Sequence, residues 1–322
     1  MRGGAILRRE GMVHERARAT PIALAACALL APAALRSEPP AAAPAAPRDG
    51  VMTYIHHPPE SARDVRYLYQ WDVLRTALEK TRPRWGEYRL VAGDVMTERR
   101  QAYELRNATG NLTVMYLGTT PDFERELVPV RIPIDRSLGG YCVFLVRAGE
   151  QARFDAVRTL DDLRQFTFGL GSDWIDVEIF RSNGFKVVTG SSYDGLFEML
   201  VNRRFDVFPR GAVEILDEYE HRKAELRDLR IEDGLILYYP LPMYFWFARN
   251  PEGRRLAERA EAGLRLMLAD GSYDALFDRH QRSKIERLRL KTRKVYRIDN
   301  PFLGPETPLA EKRLWFDPTT YR

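Results

Sequence analysis

The sequence predicts an α/β chain of two βαβ lobes joined by a two-strand hinge, on three observations. Short β-rich runs alternate with segments of helical period from residue 51 onward. After residue 117 the alternation gives way to two extended runs, 127–134 and 141–147, and starts afresh near residue 160. A long aromatic extended run, 235–249, then leads back toward two closing helices. Strand, helix, strand in succession implies parallel pairing with right-handed crossovers, so each half forms its own sheet and the extended runs cross between halves.

The elements follow in order. Residues 51–55 read as a strand ended by Pro58 and Pro59, and 63–81 as a helix with Val65, Leu68, Tyr69, Val73, Leu74, Ala77 and Leu78 on one face. Residues 88–91 form a second strand, 97–106 a helix capped by Thr97, and 112–117 a third strand. In the second half, helices over 160–164, 174–182, 192–201 and 213–226 alternate with strands over 166–170, 185–189 and 205–208. Helices over 252–269 and 273–280 close the pattern, with Gly271 as the stop between them.

With 322 residues, 45% hydrophobic and 30% charged, the chain can bury cores for two domains, which excludes disorder and a multi-span membrane protein. The net charge of +5 belongs mostly to the leader, where seven Lys/Arg stand against four Asp/Glu in the first fifty residues, leaving +2 on the rest. Arg8, Arg9, Arg16 and Arg18 precede an apolar run of about 15 residues interrupted by Pro32, then a Pro/Ala tract. That is the pattern of a secretory signal, short of the ~20 residues of a spanning helix. Residues 1–50 are therefore assigned to signal and linker and the protein to the periplasm, with Met12 as an alternative start. Leu24-Ala25-Ala26-Cys27 matches a lipoprotein box, against which stands the apolar run continuing past Cys27. Cys142 is left alone in the mature chain, which excludes an intramolecular disulfide and leaves it a small buried hydrophobe.

The tail is different in kind. From Arg282 to Arg297 eight bases stand against the single acid Glu286. Two readings remain: a patch for an anionic surface, or a solvated element whose Ile285, Leu288, Leu290 and Val295 form one buried side. The Pro-rich end with Trp315 and Phe316 is expected to strap back over the first lobe.

Several segments carry a family resemblance: Tyr141-Cys142-Val143-Phe144-Leu145-Val146-Arg147; Thr159-Leu160-Asp161-Asp162-Leu163 followed by Phe168-Gly169-Leu170-Gly171-Ser172; Ser192 to Leu200; Arg204-Phe205-Asp206-Val207; and Asp270-Gly271-Ser272-Tyr273-Asp274-Ala275-Leu276-Phe277. In order and spacing the chain resembles the type II periplasmic solute-binding proteins, specifically extracellular family 3, which serves polar amino-acid uptake. The resemblance spans about residues 51–282 and implies two lobes that close on a ligand about the hinge strands. It divides the mature chain into a first lobe, 51–143 plus 245–282, a second lobe, 144–244, and a C-terminal extension, 283–322.

In amino-acid binders of this family, an Arg following a Thr-x-x motif after the third strand grips the α-carboxylate. Here Thr119-Thr120-Pro121-Asp122-Phe123-Glu124-Arg125 has acidic and aromatic residues at that place, with Arg125 and Arg131 as nearby candidates. Family members take the amino group on an Asp after the strand matching 205–208, where this chain has Pro209-Arg210-Gly211. That acid-to-base reversal would repel an ammonium and attract an anion, which disfavours a standard α-amino acid. Arg210 is thus a candidate anion contact, its alternative being an ion pair with Glu214.

Other candidates lie at expected cleft positions. Gly169-Leu170-Gly171-Ser172-Asp173-Trp174 sits between strand and helix, so Ser172, Asp173 and Trp174 either meet the ligand or merely cap the helix. Glu60 and Ser61 follow the first strand, and Tyr116 and Thr119 end the third, with solvent exposure as the alternative. Among Tyr238, Tyr239, Tyr244, Phe245, Trp246 and Phe247, one or two rings are left for the cleft and the others for packing. His56 and His57 point to opposite faces of a strand and cannot readily share a metal. No nucleotide, metal or hydrolase motif occurs, so neither cofactor, metal nor catalysis is expected. The reading is an exported monomer that takes a small polar or anionic ligand for an ABC permease, without nucleic-acid contact. Its rivals are a module signalling to a membrane receptor and a periplasmic enzyme.

Overall fold

The computed structural model describes residues 50–321 apart from Arg63, Val65 and Tyr67. The leader, Cys27 and Met12 lie outside the described residues. In the first lobe, β1 (Met52–His56) connects through α1 (Leu68–Trp85) to the parallel strand β2 (Tyr88–Ala92). One face of α1 buries Trp71, Val73, Leu74, Ala77 and Leu78, the period of four and three that makes it a core-facing helix. Helix α2 (Glu98–Arg106) starts where Thr97 Oγ1 accepts the Arg100 N–H, and β3 (Met115–Gly118) follows. Thr120 caps a short helix α3 (Pro121–Glu126), which runs into β4 (Leu127–Val130). The extended run expected over 127–134 ends at Val130, where the Ile132 N–H turns back to the Val130 carbonyl at 2.8 Å and leaves the ladder.

The second lobe is built around β5 (Tyr141–Arg147), buried along its whole length. Two short helices, α4 (Gln151–Asp155) and α5 (Leu160–Leu163), precede β6 (Thr167–Gly171), and the Thr159 and Asp162 capping box starts α5. Helix α6 (Asp176–Ser182) crosses to β7 (Lys186–Gly190), parallel to β6. Then come α7 (Tyr193–Val201), capped by Ser192, β8 (Phe208–Gly211), α8 (Ile215–Arg222), β9 (Leu229–Ile231) and β10 (Leu235–Tyr238). Strands β8, β9 and β10 all pair antiparallel with β5.

The single run expected over 235–249 is two strands. Pro240 and Pro242 interrupt the ladder, so β10 stays with β5 while β11 (Met243–Ala248) enters the first lobe between β3 and β4. Leu237 opposite Cys142 and Tyr238 opposite Tyr141 set the two crossing segments side by side. Helix α9 (Pro251–Asp270) ends at Gly271, whose φ of 78° is a left-handed turn, and α10 (Ser272–Arg287) begins at once, reaching seven residues beyond the expected His280.

That extra length carries the basic segment. Ile285, Leu288 and Leu290 are buried, and β12 (Lys294–Arg297) lies parallel to β10, in the sheet of the second lobe. The strap expected over the first lobe alone therefore does more: β10 offers a free edge, and β12 occupies it. Phe316 then returns across the hinge, where its N–H donates to the Arg136 carbonyl at 2.8 Å and Tyr141 donates its hydroxyl to the Phe316 carbonyl at 3.0 Å. Phe316 and Tyr321 end against Phe277 of α10.

Candidate functional site

Between the lobes lies a cavity of about 340 Å³, walled by both lobes, by the crossing segments and by α10. This is small-molecule size, at the low end of the ~300–1,000 Å³ of ligand pockets. Tyr116, Trp174 and Arg210 are the expected residues that line it. The other five stand elsewhere. Glu60 accepts from Arg66 at 2.7 Å on the exposed rim, and the Ser61 carbonyl accepts the Asp64 N–H at 3.1 Å. Thr119 is fully buried and donates its hydroxyl to Glu124 at 3.0 Å. Ser172 is exposed and bonds through its N–H to the Gly190 carbonyl, while Asp173 faces Arg99 at 3.7 Å. Nor does either residue cap α6, which spans seven residues and starts from Ile175 with no side-chain cap.

The glycines of that turn have a packing role instead. A Cβ on Gly169 would sit 2.1 Å from the Phe205 ring, and one on Gly171 would sit 2.5 Å from the Trp174 ring. Gly171 thus lets the indole lie flat against β6 at the cavity wall. Arg125 pairs with Asp122 and Glu126, and Arg131 with Glu124 and Glu306, so neither reaches the cavity as a carboxylate clamp. His57 is buried and its Nε2 accepts the Met96 N–H, whereas the His56 ring stacks on Trp71 at 4.4 Å.

Arg210 lines the cavity and makes the ion pair with Glu214 that stood as its alternative, so its charge is balanced within the fold. Its guanidinium forks onto Glu218 through Nε and Nη2, both at 2.8 Å, and also meets Glu214 at 2.8 Å. Tyr193 donates its hydroxyl to the same Glu218 at 2.7 Å, and the guanidinium lies 4.7 Å from the Trp174 ring centre. One guanidinium against two carboxylates leaves the group negative. Burial would raise the Glu218 carboxyl, but Arg210 outweighs it and holds it below the ordinary range. For Glu214 burial prevails, pushing it up to about 7.

Further acids line the same space, and sequence reasoning missed them because each sits at a polar position of an amphipathic helix or in the crossing loop. Asp135 accepts the N–H groups of Ser137 and Gly139 at 2.9 and 2.8 Å, and burial still pushes it up to about 6. Asp176, in the first turn of α6, accepts the Tyr239 hydroxyl, and Tyr239 in turn accepts the Cys142 thiol at 3.5 Å. Burial raises Asp176 above the ordinary carboxylate range. Glu98, in the first turn of α2, comes from the opposite lobe. Its signal in sequence was only its place beside a good cap, Thr97.

Burial first, and then the nearby Asp176, push Glu98 from an ordinary 4.5 up to about 8, with Arg66 opposing. A carboxyl raised on folding holds its proton longer in the folded state, so the unfolding free energy falls as pH climbs from about 4.5 through about 8. The ligand-free protein is therefore expected to lose thermal stability between about pH 5 and pH 8, and Glu98→Gln to lose less. Thermal melts across that range check this; an equal decline in the variant would remove Glu98 as the cause.

No family model and no curated protein matches the chain. Solved structures do. An ancestral arginine-binding protein bound to arginine is similar with a TM-score of 0.53 at 16% identity, over 72% of this chain and 98% of that one. An arginine transport-system periplasmic binding protein from Legionella pneumophila gives 0.53 at 13%, over 71% and 99%. An ancestral amino-acid-binding protein described as a precursor of cyclohexadienyl dehydratase gives 0.52 at 14%, over 72% and 96%. At such identities the likeness is one of fold.

Proposed function

From the two-lobed type II periplasmic-binding fold as premise, we propose that this protein is a non-catalytic solute-binding protein that closes on a small polar molecule and passes it to an ABC permease. The observation that carries the reading is the cavity itself, which takes its walls from both lobes and from the crossing segments. A ligand there gains its full set of contacts only when the lobes are together, and so shifts the population toward the closed state by its differential affinity. We assign the lobes to residues 51–143 with 245–282 and to residues 144–244; since Tyr141 already pairs within the second lobe and Met243 within the first, the rotation falls just before β5 and at the Pro240 to Pro242 break. The structural neighbours described as amino-acid or arginine binders support this reading, as does the leader for export to the periplasm. No helix among the described residues is long and apolar enough to cross a membrane.

The sensor reading drew on the basic tail, and those bases are largely occupied within the fold. Arg287 pairs with Glu220, Arg293 with Glu232, and Lys284 with Asp217. Native mass spectrometry of freshly purified protein is expected to find a retained small molecule, and X-ray scattering to show compaction when it is restored. If no member of a metabolite panel compacts the protein while one of them is turned over, the enzyme reading replaces this one.

A further inference from the structure

Resting on the reading of two lobes that rotate about the crossing segments, we propose that the C-terminal extension is a hinge clamp, which grips both crossings and limits how far the lobes open. The extension is anchored in each lobe separately. In the second lobe β12 lengthens the sheet beside β10, and the Ile298 N–H donates to the Tyr238 carbonyl at 3.0 Å. There Asn183, at the end of α6, donates its Nδ2 to the Asp299 carbonyl at 2.7 Å and accepts the Asp299 N–H at 3.2 Å. In the first lobe Glu306 pairs with Arg131, the Phe316 ring lies against Phe277 of α10, and Tyr321 donates its hydroxyl to Asp278 at 2.6 Å.

The same stretch reaches the two places where the rotation falls. Asn300 donates its Nδ2 to the Pro240 carbonyl at 2.8 Å, on the return crossing. The Phe316 N–H donates to the Arg136 carbonyl at 2.8 Å, on the outward one, and the Tyr141 hydroxyl donates to the Phe316 carbonyl. The crossings are also bonded to each other, Ser137 Oγ accepting the Leu241 N–H at 2.8 Å. Rotation must therefore turn carbonyls that the extension holds.

The backbone points the same way independently. Arg136 and Ser137 have φ of 54° and 58°, left-handed values that are costly for a residue with a Cβ and persist only where the surroundings fix them. A hinge works by letting a few residues absorb a change in φ and ψ. Here two such residues are held, Ser137 by Asp135 and Leu241, and Arg136 by Phe316 and, through its side chain, by Asp274 of α10. The arrangement so held is one in which the lobes meet, since Arg66 lies 3.9 Å from the Tyr193 ring centre and Arg99 faces Asp173 at 3.7 Å. The clamp thus opposes opening, and it raises the fraction of protein competent to bind, to which the apparent affinity is proportional.

Spin labels on Val95→Cys and Glu198→Cys, exposed positions on opposite lobes, read the lobe separation by double electron–electron resonance in exhaustively dialysed mature protein, where Cys142 is buried. Asn300→Ala with Tyr141→Phe removes two of the hydrogen bonds at the hinge and is expected to raise the open population about tenfold, as a component several ångströms longer than the wild-type distance. Lys294→Ala, which loses its bond to the Arg158 carbonyl within the second lobe, should leave the distance unchanged. Circular dichroism verifies that each variant is folded. Should the double variant not fold, a flexible Gly/Ser insertion between Gly304 and Pro305, which uncouples the anchors in the two lobes, takes its place and is expected to lengthen the same distance. An unchanged distance in the folded clamp variant, or an equal lengthening in Lys294→Ala, would overturn the proposal. The solute-binding reading is tested separately, by the molecule retained in the wild type and its compaction: a clamp variant that opens beside a wild type showing neither would keep the clamp and end that reading.

Discussion

Arg210→Ala is expected to lower the unfolding free energy by about 3–5 kcal/mol, the cost of leaving buried charge without its partner. The guanidinium is 5% exposed, and Glu218, which it bridges to Tyr193, is fully buried. Without Arg210 the Glu218 carboxyl loses the charge that keeps it ionised and must either take up a proton or draw water into the core. The combined replacement Arg210→Met, Glu218→Leu and Glu214→Gln should recover much of the loss, since no buried carboxylate is then left without a countercharge. Urea melts at neutral pH read both effects. A single-variant loss under about 1 kcal/mol would mean that the network is solvated.

Ending the chain after Leu288 is expected to abolish cooperative unfolding altogether. That truncation removes Leu290, Tyr296, Ile298, Leu314 and Phe316, all buried. At about 1.5–3 kcal/mol per buried side chain the loss is on the order of 10 kcal/mol, comparable with the ~5–15 kcal/mol that holds a whole domain together. It also uncovers the edge of β10 and takes from Glu232 the Arg293 guanidinium, which donates to its carboxylate at 3.3 Å and to its carbonyl at 2.7 Å. Circular dichroism during heating is the measurement. A truncated chain that melts sharply within a few degrees of the full one would show the extension to be an accessory.

Element types were legible because they depend on neighbours along the chain. Thr97, Ser192 and Thr159 cap the helices they were expected to start or flank, and Gly271 turns left-handed between α9 and α10. Strand ends were less legible: β3 and β8 each lie about three residues beyond where the sequence put their starts, yet Tyr116 within β3 and Arg210 within β8 both line the cavity. The run of rings around Tyr239 also left room for a cleft residue, and Tyr239 fills it. Helix-borne polar residues were not legible. Glu98 and Asp176 follow the polar period of a solvated face, and nothing local separates a side chain facing water from one facing a cavity.

By itself, then, the sequence determined the alternation of strands and helices, the two halves and the two crossings between them, since period and capping are properties of a few adjacent residues. Tertiary structure alone decided that Pro240 and Pro242 send β10 and β11 into different sheets, that β12 completes the second lobe, and that Arg210 meets Glu218 as well as the Glu214 that the sequence offered it. The sign of charge in the cleft belongs to that second group. It depends on which buried groups meet across hundreds of residues of chain, and desolvation makes each such meeting matter far more than its place in the sequence could indicate.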